Sequence, residues 1–244
     1  MIKKNKLLKR VYIILYILVI IICVKSTQIY LLNTSLFSNY NILINGNKYI
    51  DTSIIENIIY PQLTASILSL NLNEIQKNIE SIDYIESVQV SQILPHSVII
   101  NIIESSPIVL VHKLNENIFI DKNGLLLPAD KKSIATFSVP IVSILDINKS
   151  LNDIQDVTNI FQFLLTEYPE FYNTLNEIKI KPNLWEFSSN NTKIFTENEY
   201  VKNQLIILQY FESTIYPVKT LQDYSYIDLR INNQVIVKEK YRKG

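Results

Sequence analysis

Ile85–Glu104 reads IESVQVSQILPHSVIINIIE. Two alternating runs flank a proline turn. Ile85 to Gln92 places Val88 and Val90 against polar neighbours, and Leu94-Pro95-His96 leads into Val98 to Glu104. A period of two with a central turn predicts an antiparallel strand pair, each strand burying one face. Upstream, Leu72, Ile75, Ile79 and Ile82 recur at helical spacing, so a helix opens near Asn73. Before it, Ile54, Ile55, Ile58 and Ile59 form another apolar stripe that Pro61 stops, and Ser53 and Glu56 have capping-box spacing. Asn41 to Ile44 reads as a short strand closed by the Asn45-Gly46-Asn47 turn. Strand, helix, helix, strand, strand is a small α+β unit, with two helices on one face of a three-stranded sheet.

Downstream the pattern stays mixed. Ile118 to Leu127 reads as a hairpin turning at Asp121 to Gly124, and Val139 to Leu145 as a strand. Leu151 to Tyr168 is an amphipathic helix, with Ser150 and Asp153 spaced to box its start and Pro169 marking its end. Strands follow around Ile178, Leu184 and Lys193, then a helix that Thr196 and Glu199 would cap and that buries Val201, Leu205, Leu208 and Phe211. Tyr226 to Ile231, a turn at Asn232-Asn233 and Gln234 to Lys240 close the chain. This is a second mixed α/β domain with a mainly antiparallel sheet.

Toward the amino end, Val11 to Val24 is uncharged and almost wholly apolar. Lys3, Lys4, Lys6, Lys9 and Arg10 precede it with no acid. Fourteen helical residues rise about 21 Å against a hydrocarbon core of roughly 30 Å. No small-residue cleavage site follows, and Lys9, Arg10 and Lys25 can extend the span by snorkelling. The reading is a single uncleaved anchor, with residues 1–10 as a cytoplasmic tail and 11–32 as the span and membrane-proximal segment. The basic flank keeps the amino terminus in the cytoplasm and places the later residues outside.

The chain is formally neutral at 23 basic and 23 acidic residues, but six of the basic ones lie in the first 25 positions, where there are no acids. The exterior part is therefore net acidic, the wrong sign for a nucleic-acid partner. The single cysteine, Cys23, lies in the apolar run, so internal disulfides are excluded. Neither His96 nor His112 sits in a catalytic pattern, and no nucleophile elbow, phosphate loop or metal-ligand spacing is present. No cofactor and no metal is expected, and Trp185 reads as core. The remaining chemistry is surface. Gln234 to Lys240 reads as a terminal edge strand, with Val235 and Val237 on one face and Ile236, Lys238 and Lys240 on the other. Such an edge either recruits a partner strand or is simply exposed.

INGNKYI, the run ILSLNLNEIQKNIESIDYIESVQVSQILPHSVIINIIESSPIVLV, IFIDKNG and the closing Asp228-Leu229-Arg230 together resemble the FtsQ/DivIB family of bacterial cell-division proteins. One departure is Ser105-Ser106, where that family often carries a basic residue. The resemblance implies a POTRA-like domain at 40–111 and an FtsQ-type β domain at 112–244. It also implies a non-catalytic scaffold in the inner membrane at the division septum. The partners implied are FtsB/DivIC-like and FtsL-like single-pass proteins and other septal membrane proteins. Matched by position, the partner surface implied is Arg230, Ile231, Asn233, Val235 and Val237, with Lys202 on the preceding helix. A POTRA protein of outer-membrane assembly or secretion and an anchored exterior enzyme are the competing readings. The first lacks a following β-barrel pattern and the second a catalytic constellation.

Overall fold

A computed structural model describes residues 2–33, 36–64, 66–113, 116–145, 152–232 and 234–240. Helix α1 runs Ile2–Asn33. Its segment Tyr12–Leu31 is 20 residues long with mean hydropathy 2.1 and is not buried against protein. Twenty residues rise about 30 Å, the thickness of a hydrocarbon core.

The chain divides into two compact units, Met1–Ser105 and Ser106–Gly244. In the first, β1 (Asn41–Asn45) leads to α2 (Thr52–Ile59) and α3 (Leu72–Glu80), then β2 (Ile85–Ile93) and β3 (Ser97–Glu104). The sheet order is β1-β3-β2. β2 and β3 pair antiparallel through Val90↔Ile100, as the alternation predicts, and β1 lies parallel to β3 with Asn41 opposite Ser97. Ile55 and Ile59 of α2 and Ile75 and Ile79 of α3 bury against Val88, Val98, Ile100 and Ile102. The turn after β1 is closed by the Glu104 carboxylate, which accepts from the backbone N–H groups of Tyr49 and Ile50. Gly46 sits there at φ +92, and a Cβ on it would lie 2.1 Å from the Ile102 carbonyl oxygen.

Helix starts differ from the spacing argument. Asp51, not Ser53, is the N-cap of α2, and its side chain makes no cap bond. Asn71 caps α3 by accepting from the Glu74 N–H.

The second unit begins one strand earlier than the expected 111/112 boundary. β4 (Pro107–Lys113) pairs with β5 (Glu116–Asp121) and with β7 (Ile141–Ile144), so its ladder belongs to the second sheet and the division falls after Ser105. β6 (Leu126–Pro128), α4 (Lys131–Thr136), α5 (Asn152–Glu167), α6 (Pro169–Thr174), β8 (Leu175–Lys181), β9 (Leu184–Ser189), β10 (Thr192–Glu197), α7 (Val201–Ile215), β11 (Tyr224–Asp228) and β12 (Ile236–Glu239) follow. They build a nine-stranded sheet ordered β12-β11-β10-β9-β8-β7-β4-β5-β6, antiparallel in most of its pairs. α5 and α7 cover one face, burying Val157, Phe161, Leu164, Val201, Leu205 and Leu208. At the end of α5 the Tyr168 hydroxyl donates to the Glu212 carboxylate of α7. Burial pushes this phenol well above its ordinary range.

One cap expected from spacing in this unit is replaced. Thr196 lies inside β10, fully buried, and Tyr200 occupies the N-cap of α7 without a side-chain bond. The start of α5 involves residue 150, outside the described residues.

Gly46→Ala should lower the unfolding free energy by at least about 1–3 kcal/mol, through forced overpacking at a positive φ. An unchanged chemical-denaturation midpoint would refute that account of the turn. Phe187→Ala, at a fully buried position of the second sheet, should cost roughly 3–5 kcal/mol. The same measurement checks it.

Candidate partner-binding edge

The register of the large sheet sorts its side chains into two kinds of row. On the helix side, Ile118, Val111, Val142, Ile178, Phe187, Ile194, Ile227 and Val237 stand side by side across eight strands. One residue along, Asn117, His112, Ser143, Lys179, Glu186, Phe195, Asp228 and Ile236 form the matching row on the other face. There Glu186 is held between Lys181 and Lys193, each 2.8 Å away, and these two lysines, Lys181 first, keep its carboxyl below the ordinary range.

Both rows end on β12, which pairs only with β11 among the described residues. The Lys240 N–H donates to the Asp223 carbonyl at 2.8 Å. Because backbone polar groups alternate sides along a strand, Ile236 and Lys238 also face β11. Val237 and Glu239 therefore aim their N–H and C=O groups away from the sheet. The strand is clamped at several points. Ser225, at a register shift in β11, donates its hydroxyl to the Lys238 carbonyl at 2.9 Å. Lys219 ion-pairs with Glu239, and Lys240 donates its ammonium to the Gln222 carbonyl at 2.8 Å. The hydrogen bond from Lys219 to Glu239 raises the Lys219 pKa.

Of the residues proposed from sequence, Arg230, Ile231, Val235 and Val237 gather at this edge. Arg230 is already engaged. Its Nε donates to Asp228 Oδ1 at 2.9 Å, its Nη2 lies 2.6 Å from Oδ2, and its guanidinium carbon stands 5.7 Å from the Phe195 ring centre. Those side-chain bonds hold the Asp228 carboxyl below the usual carboxylate range. Ile231 is exposed, and Val235 packs against the core as the chain enters β12. With Tyr200, Asn203, Ile207 and Leu229 they line a shallow groove between α7 and that entering segment. Lys202 is not part of it. Its ammonium lies over the Phe163 ring of α5, 5.3 Å from the centre. Asn233 lies outside the described residues. The clamps Lys219, Ser225 and Glu239 escaped the sequence reading, because each is recognisable only through its cross-strand partner.

Among the described residues no cluster of three or more His, Cys, Asp or Glu side chains could hold a metal ion. His112 Nδ1 lies 2.7 Å from Asn117 Oδ1, and His96 Nδ1 3.3 Å from the Asn39 carbonyl.

The family model described as "POTRA domain, FtsQ-type" matches residues 37–105. The chain is 28% identical over 222 residues to the cell division protein FtsQ of Rickettsia prowazekii, covering 87% of this chain and 77% of that protein. It is 27% identical over 226 residues to FtsQ of Rickettsia bellii, covering 88% and 78%. It is 24% identical over 130 residues to FtsQ of Koribacter versatilis, covering 53% of this chain and 38% of that protein. The chain thus joins a membrane-length amino-terminal helix, a domain matched by the FtsQ-type POTRA model and a sheet-bearing carboxyl unit, and over most of its length it is similar to cell division proteins named FtsQ.

Proposed function

We propose that the protein is a non-catalytic scaffold of the division machinery, anchored by α1 with its two units outside the cytoplasmic membrane, and concentrated at the septum. The edge of β12 recruits FtsB/DivIC-like and FtsL-like single-pass proteins by strand addition, and the units gather other septal membrane proteins. The observation that carries this reading is the open ladder at Val237 and Glu239, combined with clamps that hold β12 in register. A preformed strand loses little entropy when a partner strand pairs with it. Similarity to the FtsQ relatives over most of the chain supports the division role, and the basic flank before the helix supports the orientation. The absence of a catalytic pattern in the sequence supports scaffolding over turnover.

Val237→Pro removes an outward donor and fixes φ. Co-purification of the FtsB-like partner from solubilised membranes should fall about tenfold or more, since a lost ladder bond and its misfit cost about 1.4 kcal/mol. Full capture by a variant with native circular dichroism would rule this edge out. A second check uses pH. Asp228 has a depressed folded-state pKa, so the clasp with Arg230 is complete at neutral pH and is lost only as pH falls through that lowered value. Arg230→Gln should move the Asp228 carboxyl titration upward by NMR, and an unmoved titration would refute the clasp.

A further inference from the structure

The POTRA unit has two unlike ends. One gathers its charges. Ile85 pairs with Glu104, the Ser105 N–H donates to the Tyr84 carbonyl, and the Glu104 carboxylate binds the Tyr49 and Ile50 N–H groups. Lys48, Asp51, Asp83, Glu86 and Glu104 therefore lie at that end. The other end is formed by the β2–β3 turn, the entry into β1 and the segment joining the two helices. Hydrogen bonds join these three. The Asn41 N–H donates to the His96 carbonyl at 2.7 Å, the Ile67 N–H to the Phe37 carbonyl at 2.9 Å, and the Tyr40 hydroxyl to the Thr64 carbonyl at 2.9 Å. No Lys, Arg, Asp or Glu occurs in residues 26–47, 57–73 or 87–103. In a chain that is 19% charged, one domain end is thus free of charge on all three of its segments.

That end also exposes large apolar side chains. Leu36 is 53% exposed, Tyr60 57%, Ile93 57% and Leu94 50%. Nothing in the fold of the unit requires Ile93 and Leu94 to be apolar, because both lie at the hairpin tip beyond the buried core. Its position relative to the membrane follows from chain length. α1 ends at Asn33, and six residues later Asn39 lies beside His96 of the tip. Six residues reach at most about 22 Å. The uncharged end is therefore tethered close to the bilayer, while the charged end lies about 26 Å away along the eight-residue rise of β2.

We propose that this end of the POTRA unit docks into the membrane interface, with Ile93 and Leu94 inserted at the boundary between headgroups and acyl chains and Leu36 and Tyr60 beside them. Aromatic and aliphatic side chains without nearby charge suit that layer, where an acidic side chain would be repelled by anionic lipid. The docking sets the height of the unit above the membrane and turns β1 and β2 so that their strands run across the space outside. It rests on the reading of α1 as a membrane anchor.

The test uses the full chain in phosphatidylcholine–phosphatidylglycerol vesicles containing doxyl-labelled lipid. An environment-sensitive nitrobenzoxadiazole probe is attached at one cysteine at a time: native Cys23, or Leu94→Cys or Asp83→Cys in a Cys23→Ala background. Interfacial groups of this kind sit about 5–10 Å into the boundary layer, so quenching at position 94 should exceed that at position 83 by about twofold or more. Ile93→Cys should repeat the result at the neighbouring position. Equal, weak quenching at 93, 94 and 83 with strong quenching at Cys23 overturns the proposal and leaves the anchor intact. Absence of quenching at Cys23 overturns the anchor, and the docking with it.

Discussion

The carboxyl unit depends on one apolar row. Eight side chains from Ile118 to Val237 stand shoulder to shoulder across eight strands, and the inner six, Val111 to Ile227, are buried in one core with residues of α5 and α7. Removing such area from water is the dominant favourable term in folding, and the row fixes register because a one-residue slip would turn every member to the other face. The edge proposed to bind partners inherits its geometry from this row. Val237 stands where it does because Ile227, Ile194 and Phe187 stand in line behind it. The clamps at Ser225, Lys219 and Lys240 refine a placement that burial has already chosen.

The POTRA unit solves the same problem with less sheet. Its inward row on β3, Val98, Ile100 and Ile102, meets isoleucines from two short helices. The tight turn at Gly46 brings the end of β1 close beside the Ile102 carbonyl of β3, its neighbour in the sheet. A strand running parallel to its neighbour needs a crossover, and here β1 reaches β3 only after α2, α3 and β2. That crossover brings the entry into β1 to the same end as the β2–β3 turn. The contrast between charged and uncharged ends is thus a product of topology.

Much of this was legible in the residues. Alternation around Leu94-Pro95-His96 predicted the hairpin, and isoleucine spacing predicted both helices, because each signal records one buried face. Cap spacing is a weaker guide. Ser53 and Thr196 have the right spacing from Glu56 and Glu199, yet the backbone turns into helix at Asp51 and Tyr200 instead. Thr196 is taken up by β10, where tertiary burial outweighs local capping. α4 and α6, six residues each, carry too short a period to be seen. The compact-unit division falls after Ser105 rather than after Val111, because Pro107–Lys113 is an apolar strand that reads equally well as the end of one sheet or the start of the next. At the candidate site, the terminal strand and its two faces were visible, but the Asp228–Arg230 clasp and the ties to Lys219 and Ser225 need three-dimensional pairing to be seen.

Ile227 is fully buried, and the strand outside it is the last one of that sheet among the described residues. β12 therefore has two duties: it presents a ladder to the outside and it roofs the final member of the core. A visiting strand that displaced it would strip the cover from Ile227 before offering any of its own. Exchange is disfavoured on that ground, and growth of the sheet by one further strand is the route this architecture leaves open.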